Sequence, residues 1–242
     1  MIIDKKNIFI VGIITLIMSI FFFYNYEEKS ITQVSTDIEI VEQVSLKEKK
    51  LNEIKSLIKE NEDKITKLVN KDNGIEKNYI PNDLVSVNVA STKNNILVSQ
   101  CIKTSLKNMF EAGKEEGMNL YLVSGYRSSD YQAKLYANAL KKYSKSYTQK
   151  YVAKANHSEH QTGLAVDISA KSINYRLTRN FESTDEGKWL AENAHKYGFI
   201  LRYKKDRVDD TGYGYEPWHF RYVGKEIATY IYENDLILED LY

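Results

Sequence analysis

The 242-residue chain has one cysteine, Cys101, so no internal disulfide can form. A lone thiol also cannot build a Cys-based zinc site, which directs any bound metal toward His and carboxylate ligands. Cys101 lies in an apolar helical pattern and reads as a small buried hydrophobe. Net charge is scarce as well: 34 Lys and Arg stand against 33 Asp and Glu, a formal charge of +1. Nothing in that balance calls for a polyanionic partner, and nucleic-acid binding is not expected. No internal repeat is evident. The early Cys of a lipoprotein is missing, and no small-residue cleavage site follows the N-terminal apolar run.

That run extends from Ile8 to Tyr24 after Lys5 and Lys6. It is long enough for a short bilayer span, which takes roughly 17–25 residues. It ends in Phe21-Phe22-Phe23-Tyr24-Asn25-Tyr26, an aromatic belt suited to the membrane interface. Residues 8–24 are therefore expected to form an uncleaved anchor, with a cleaved signal peptide as the alternative. The lysines before it and Glu27-Glu28 after it place the N-terminus inside and the remainder outside, a single-pass protein of the cell membrane. Residues 1–26 are read as cytoplasmic stub and anchor, and residues 27–74 as linker and amphipathic helical stalk. Within the stalk, Leu51, Ile54, Leu57, Ile58, Ile65, Leu68 and Val69 form an apolar stripe over 46–70. Lys47 and Asn61 interrupt its heptads, so coiled-coil potential is weak and oligomeric state is left open. Lys71-Asp72-Asn73-Gly74 ends the stalk with turn chemistry.

Residues 75–242 read as a globular domain. A strand is expected over Asp83–Val89, a helix over Ile96–Glu116, a strand over Leu120–Val123 and a helix over Asp130–Tyr143. Gly163 turns the chain into a strand over Leu164–Ile168. A helix capped by Ser183 and Glu186 runs to Gly198, strands follow over Phe199–Tyr203 and Trp218–Val223, and Lys225–Glu233 closes as a helix. The elements lack βαβ alternation. The expected class is α+β, a small central antiparallel sheet flanked by helices, preceded by the transmembrane helix and the stalk.

Two stretches concentrate the chemistry: Ser158-Glu159-His160-Gln161-Thr162-Gly163-Leu164-Ala165-Val166-Asp167 and Glu216-Pro217-Trp218-His219. A zinc hydrolase needs about three protein ligands, an open position for water and a carboxylate base that is not a ligand. His160, Asp167 and His219 can be the ligands and Glu216 the base. Taken singly, each histidine has an ordinary structural account and Glu216 could be a surface ion pair. Asp167 is harder to place otherwise, since an aspartate in an apolar strand is costly unless paired or metal-bound. His195, in a last helical turn, reads as structural, and His157 as an outer or exposed residue. The Arg127 guanidinium suits a substrate carboxylate or a developing oxyanion, or a structural salt bridge. Gln132 also fits a helix cap with Ser129.

Three ordered motifs give a sharper reading: Ser124-Gly125-Tyr126-Arg127-Ser128 with Gln132, Ser158-x-His160-x-x-Gly163-x-Ala165-x-Asp167, and Glu216-Pro217-Trp218-His219-Phe220-Arg221-Tyr222. Together they resemble the VanY-type zinc D-alanyl-D-alanine carboxypeptidases over roughly Tyr79 to the C-terminus. The resemblance implies one Zn²⁺ per chain on His160, Asp167 and His219, and Glu216 as general base. It implies that Ser158 binds the substrate's terminal carboxylate and that Arg127 steadies the carbonyl as it becomes an oxyanion. Ser124 and Gln132 are expected on the substrate side. The substrate it implies is a peptidoglycan stem peptide or precursor, a pentapeptide losing its terminal D-alanine. Rival readings are an L,D-carboxypeptidase trimming tetrapeptide stems, a non-catalytic wall-binding module, and an anchored interaction protein acting through the 46–70 helix. Glycopeptide resistance and ordinary wall trimming are equally compatible with the motifs.

Overall fold

The computed structural model describes Met18 and residues 39–242. The expected anchor over 8–24, Met18 apart, lies outside the described residues. Among the described residues no helix is long and apolar enough to cross a membrane. The chain divides into two units, Met1–Glu53 and Ile54–Tyr242. In the first, residues 39–53 are helical and mostly exposed.

The second unit begins inside the stretch read as stalk. Its first helix, α1 (54–60), buries Ile54 and Ile58, which are one turn apart and share a face. A π-turn, Glu62–Thr66, follows. Thr66 Oγ1 donates back to the Ile58 carbonyl at 2.6 Å, and Arg221 Nη2 donates to the carbonyls of Ile65 and Lys67 at 3.0 and 2.9 Å. The apolar stripe is thus divided: from Ile54 onward it packs within the second unit. The turn at Lys71–Gly74 is present, held by Asn70 Oδ1 accepting from the amides of Asp72 and Asn73.

The elements that follow are β1 (Leu84–Ser86), β2 (Leu97–Ser99), α2 (Gln100–Glu115), β3 (Leu120–Ser124), α3 (Ser129–Lys142) and α4 (Lys145–Tyr151). Then come β4 (Ala165–Ala170), α5 (Asp185–Asn193), β5 (Phe199–Leu201), α6 (Val208–Thr211), β6 (His219–Tyr222) and α7 (Lys225–Glu233). β1 and β2 form a separate antiparallel ribbon, and the main sheet has the order β3-β4-β6-β5 with every pairing antiparallel. The expected α+β class with a small antiparallel sheet holds for the described residues.

Local differences have local causes. The helix expected from Ile96 starts at Gln100, because Leu97–Ser99 pairs with β1 and the Ser99 side chain caps the helix by accepting from the Cys101 amide. That register puts Ile102, Leu106, Met109 and Phe110 on the buried face and leaves Cys101 exposed, which corrects its reading as a core residue. Thr184, not Ser183, caps α5, and Ser128, not Ser129, caps α3.

β4 is buried along its whole length. Its side chains alternate: Val166 and Ile168 join Leu106, Leu122, Phe199 and Phe220 in the core, while Asp167 points to the opposite face. Fully burying side chains of this size stabilises the fold by about 1.5–3 kcal/mol each, which fixes the strand register that aims Asp167.

Candidate metal centre and catalytic cavity

Three neighbouring strands deliver the site. In the sheet register Ser124 opposes Asp167, and Asp167 opposes His219. Directly opposed residues of an antiparallel pair have Cβ atoms about 4.5–5.5 Å apart, so Asp167 and His219 meet by register alone. His160 arrives from a 3₁₀ turn, Glu159–Thr162, that Gly163 ends at φ 71 before β4 begins. A side chain at Gly163 would be strained there, and its Cβ would also lie 2.9 Å from the Ser99 amide nitrogen.

His160, Asp167 and His219 are all buried and offer ligand atoms within 4.8 Å of one another. Each ring is turned by a second hydrogen bond. His160 Nδ1 lies 2.7 Å from the Gly125 carbonyl and so donates to it, leaving Nε2 for the centre. Gly125 is required at that point, since a Cβ would come within 2.4 Å of the Leu97 carbonyl oxygen. His219 Nε2 is 3.1 Å from Glu159 Oε2 and its Nδ1 is 3.2 Å from Asp167 Oδ1, so Nδ1 faces the centre. His160 Nε2 lies 3.3 Å from Asp167 Oδ1, is buried, and has no hydrogen-bond partner among the described residues. A buried imidazole nitrogen left without a donor, beside a carboxylate and a second imidazole, fits a zinc ligand set.

Electrostatics separate the roles. Burial and then the Arg127 charge push His160 down to about 4, so its ring is neutral and able to ligate. Burial would raise Asp167, but His160, His219 and Arg127 hold it well below the usual carboxylate range. Burial lowers His219, yet Asp167 and Glu159 override it and carry the ring up to about 9: this position draws positive charge. Glu216 behaves differently. Burial pushes its carboxyl up to about 8, and its Oε2 stays 4.0 Å from His219 Nδ1, near the centre but outside the cluster.

A cavity of about 330 Å³ opens over this centre, lined by Arg127, Gln132, Ser158, His160, Glu216 and His219 among others. Arg127 Nη2 donates to Asp167 Oδ2 at 3.1 Å and Nη1 to Gln132 Oε1 at 3.2 Å, while Nε is buried without a partner among the described residues. Gln132 is itself buried and donates to the Ala153 carbonyl at 2.8 Å; it braces Arg127 rather than capping a helix. Ser124 stands beside Asp167 in the sheet and is not among the residues lining the cavity. His195 stacks on Tyr232 at 3.8 Å, and His157 binds the Asn70 carbonyl, so neither approaches the ligand cluster.

Sequence reasoning missed Glu159, Arg202 and Arg221. Glu159 Oε1 accepts from Arg202 Nε at 2.7 Å and Arg221 Nη1 at 2.9 Å, and Oε2 faces His219. Burial alone would raise Glu159; the two guanidinium groups hold it far below the usual carboxylate range. A carboxylate behind a metal-facing imidazole fixes its tautomer and orientation. The signal was present, since Arg221 interrupts the apolar strand Phe220-Arg221-Tyr222 much as Asp167 interrupts its own. Tyr203 and Tyr213 also line the cavity.

Comparison with known proteins identifies relatives of the chain. Residues 95–225 match the VanY family, described as D-alanyl-D-alanine carboxypeptidase. YodJ of Bacillus subtilis (strain 168), a carboxypeptidase by name, is 44% identical over 187 residues, covering 76% of this chain and 68% of that protein. The LdcB LD-carboxypeptidase structure is 45% identical, with a TM-score of 0.68, over 72% of this chain and 83% of that one. A vancomycin-resistance D,D-pentapeptidase VanY, solved as an alanine variant with Zn(II), is 35% identical, with a TM-score of 0.62, over 73% of this chain and 97% of that one.

Proposed function

Because the chain belongs to the VanY family of D-alanyl-D-alanine carboxypeptidases and is a zinc metallopeptidase, we propose that it removes the terminal D-alanine from peptidoglycan stem pentapeptides. The observation that carries this reading is the convergence of His160, Asp167 and His219 with Glu216 beside them and outside the cluster, next to a cavity that His160, Glu216 and His219 line.

His160 Nε2, Asp167 and His219 Nδ1 would hold the ion. Zinc, when bound, supplies Lewis acidity and makes water a nucleophile near neutral pH. Glu216 takes the proton from the attacking water and returns it to the leaving D-alanine amine. Arg127, fixed by Asp167 and Gln132, directs its guanidinium at the carbonyl oxygen as negative charge develops. Ser158, at the cavity wall, takes the terminal carboxylate. The apolar run 8–24 supports anchoring, N-terminus inside and this domain outside. Recovery of the protein in the membrane fraction, with the domain open to external protease, is the expected outcome; a wholly soluble protein would remove the anchor.

A second reading, L,D-cleavage of tetrapeptide stems, is favoured by the likeness to the LdcB LD-carboxypeptidase. Incubating the full-length, zinc-loaded protein in detergent with penta- and tetrapeptide stems and assaying free D-alanine separates the two. Pentapeptide cleavage is expected, and cleavage of the tetrapeptide alone would select the second. Glu216→Gln should retain zinc and lose about 10²–10⁴-fold in turnover, the range of a lost general base. Normal turnover in that variant would refute the assigned base, and no release from either stem would favour a wall-binding module.

A further inference from the structure

A second cavity, of about 250 Å³, adjoins the first, and the two share Val152 and Tyr213 in their walls. Its lining includes two lysines, Lys71 and Lys154, and the His157 ring. Lys71 reaches across the Tyr213 ring, with Nζ 5.1 Å from the centroid. The His157 ring is held from behind, its Nδ1 2.9 Å from the Asn70 carbonyl.

Several cations around the domain pair with an acid. Lys204, Arg207 and Lys107 each meet a carboxylate at 2.6–3.3 Å. Among the described residues neither Lys71 nor Lys154 forms a salt bridge, although Asp72 lies close enough to be felt by Lys71. Burial, opposed by Asp72 and reinforced by Lys150 and Lys154, pushes the Lys71 ammonium down. Ammonium groups gathered in one concave site suit an anion.

We propose that this cavity binds a carboxylate of the stem peptide, upstream of the bond that is cut. The proposal rests on the peptidase reading and names its substrate more closely. Two such carboxylates exist in stem chemistry: the α-carboxylate left free by a γ-linked D-glutamate, and the second carboxylate of a diaminopimelate. An extended chain advances about 3.3–3.6 Å per residue, so groups two or three residues upstream lie roughly 7–11 Å from the scissile bond, and the cavity that shares Val152 and Tyr213 with the first is the neighbouring space open to them. Amidating the carboxylate removes its charge and would make the same stem a poorer substrate.

The experiment uses the full-length zinc-loaded protein and matched stems of the length it cleaves, with the D-glutamate or the diaminopimelate carboxylate free or amidated. One of the two amidations should lower kcat/KM about two- to fivefold, the effect of an exposed ion pair, and identify which carboxylate is read. The preference should weaken with added salt and vanish in the Lys71→Ala/Lys154→Ala double variant. Equal cleavage of every stem by the wild type, or a preference that survives the double substitution, would overturn the proposal. Affinities of the same peptides for Glu216→Gln give the ratio without turnover. Loss of turnover therefore counts against the peptidase reading, and loss of the ratio counts against the carboxylate site.

Discussion

Two buried clusters of charge lie on either side of His219. In front, His160, Asp167 and the Nδ1 edge of His219 draw together, and the two histidines line the cavity. Behind, Glu159, Arg202 and Arg221 have side chains with 0% exposure. The rear cluster is saturated: Glu159 Oε1 accepts two guanidinium donors, Oε2 faces His219, and Arg202 also grips Glu239 with two bonds of 2.8 and 2.7 Å. The front cluster is short of partners, with His160 Nε2 and Arg127 Nε both buried and unpaired among the described residues. Unpaired buried nitrogens suit a place for an exchangeable ligand, whereas full bonding suits charges that hold a ring in position.

That contrast can be broken from the rear. Glu159→Ala leaves two buried guanidinium groups without their shared carboxylate and should destabilise the fold by about 3–5 kcal/mol. It also frees the His219 ring, so zinc affinity should fall about 10–100-fold. Urea unfolding and titration against a competing chelator measure the two effects. If neither moved, the rear cluster would not be positioning the front one.

A gentler test uses pH. The folded-state Glu159 sits far below its ordinary 4.5, so the folded protein binds fewer protons there than the unfolded chain. Its contribution to stability is therefore complete above about 4.5 and is lost as pH falls below that value. The stability advantage of wild type over Glu159→Gln should be largest at neutral pH and shrink below 4.5, read from unfolding at each pH. A pH-independent difference would mean that hydrogen bonding alone, without charge, seats the carboxyl.

The front cluster was legible in the sequence because its residues are few and chemically conspicuous. Asp167 stands in an apolar strand, Gly163 permits the turn before it, and His160 and His219 are two of four histidines. The rear cluster was not, although Glu159 stands beside His160. Its partners lie 43 and 62 residues further along, and only the sheet brings them together. Gln132 misled for a related reason, since its spacing from Ser129 imitates a capping pattern while its side chain braces Arg127. The fold class and most elements followed from periodicity. β2 did not, because three residues of strand running straight into α2 carry no period of their own.

The direct pairing of Asp167 with His219 has a consequence for how the protein comes to hold its ion. The two residues are 52 positions apart, and His160 reaches them only through a turn anchored against Gly125. A newly made or denatured chain presents scattered donors with no chelating geometry. With these three residues as ligands, loading would follow closure of the β4–β6 seam, and escape of zinc during denaturation would report, as a built-in probe, the moment that seam unzips.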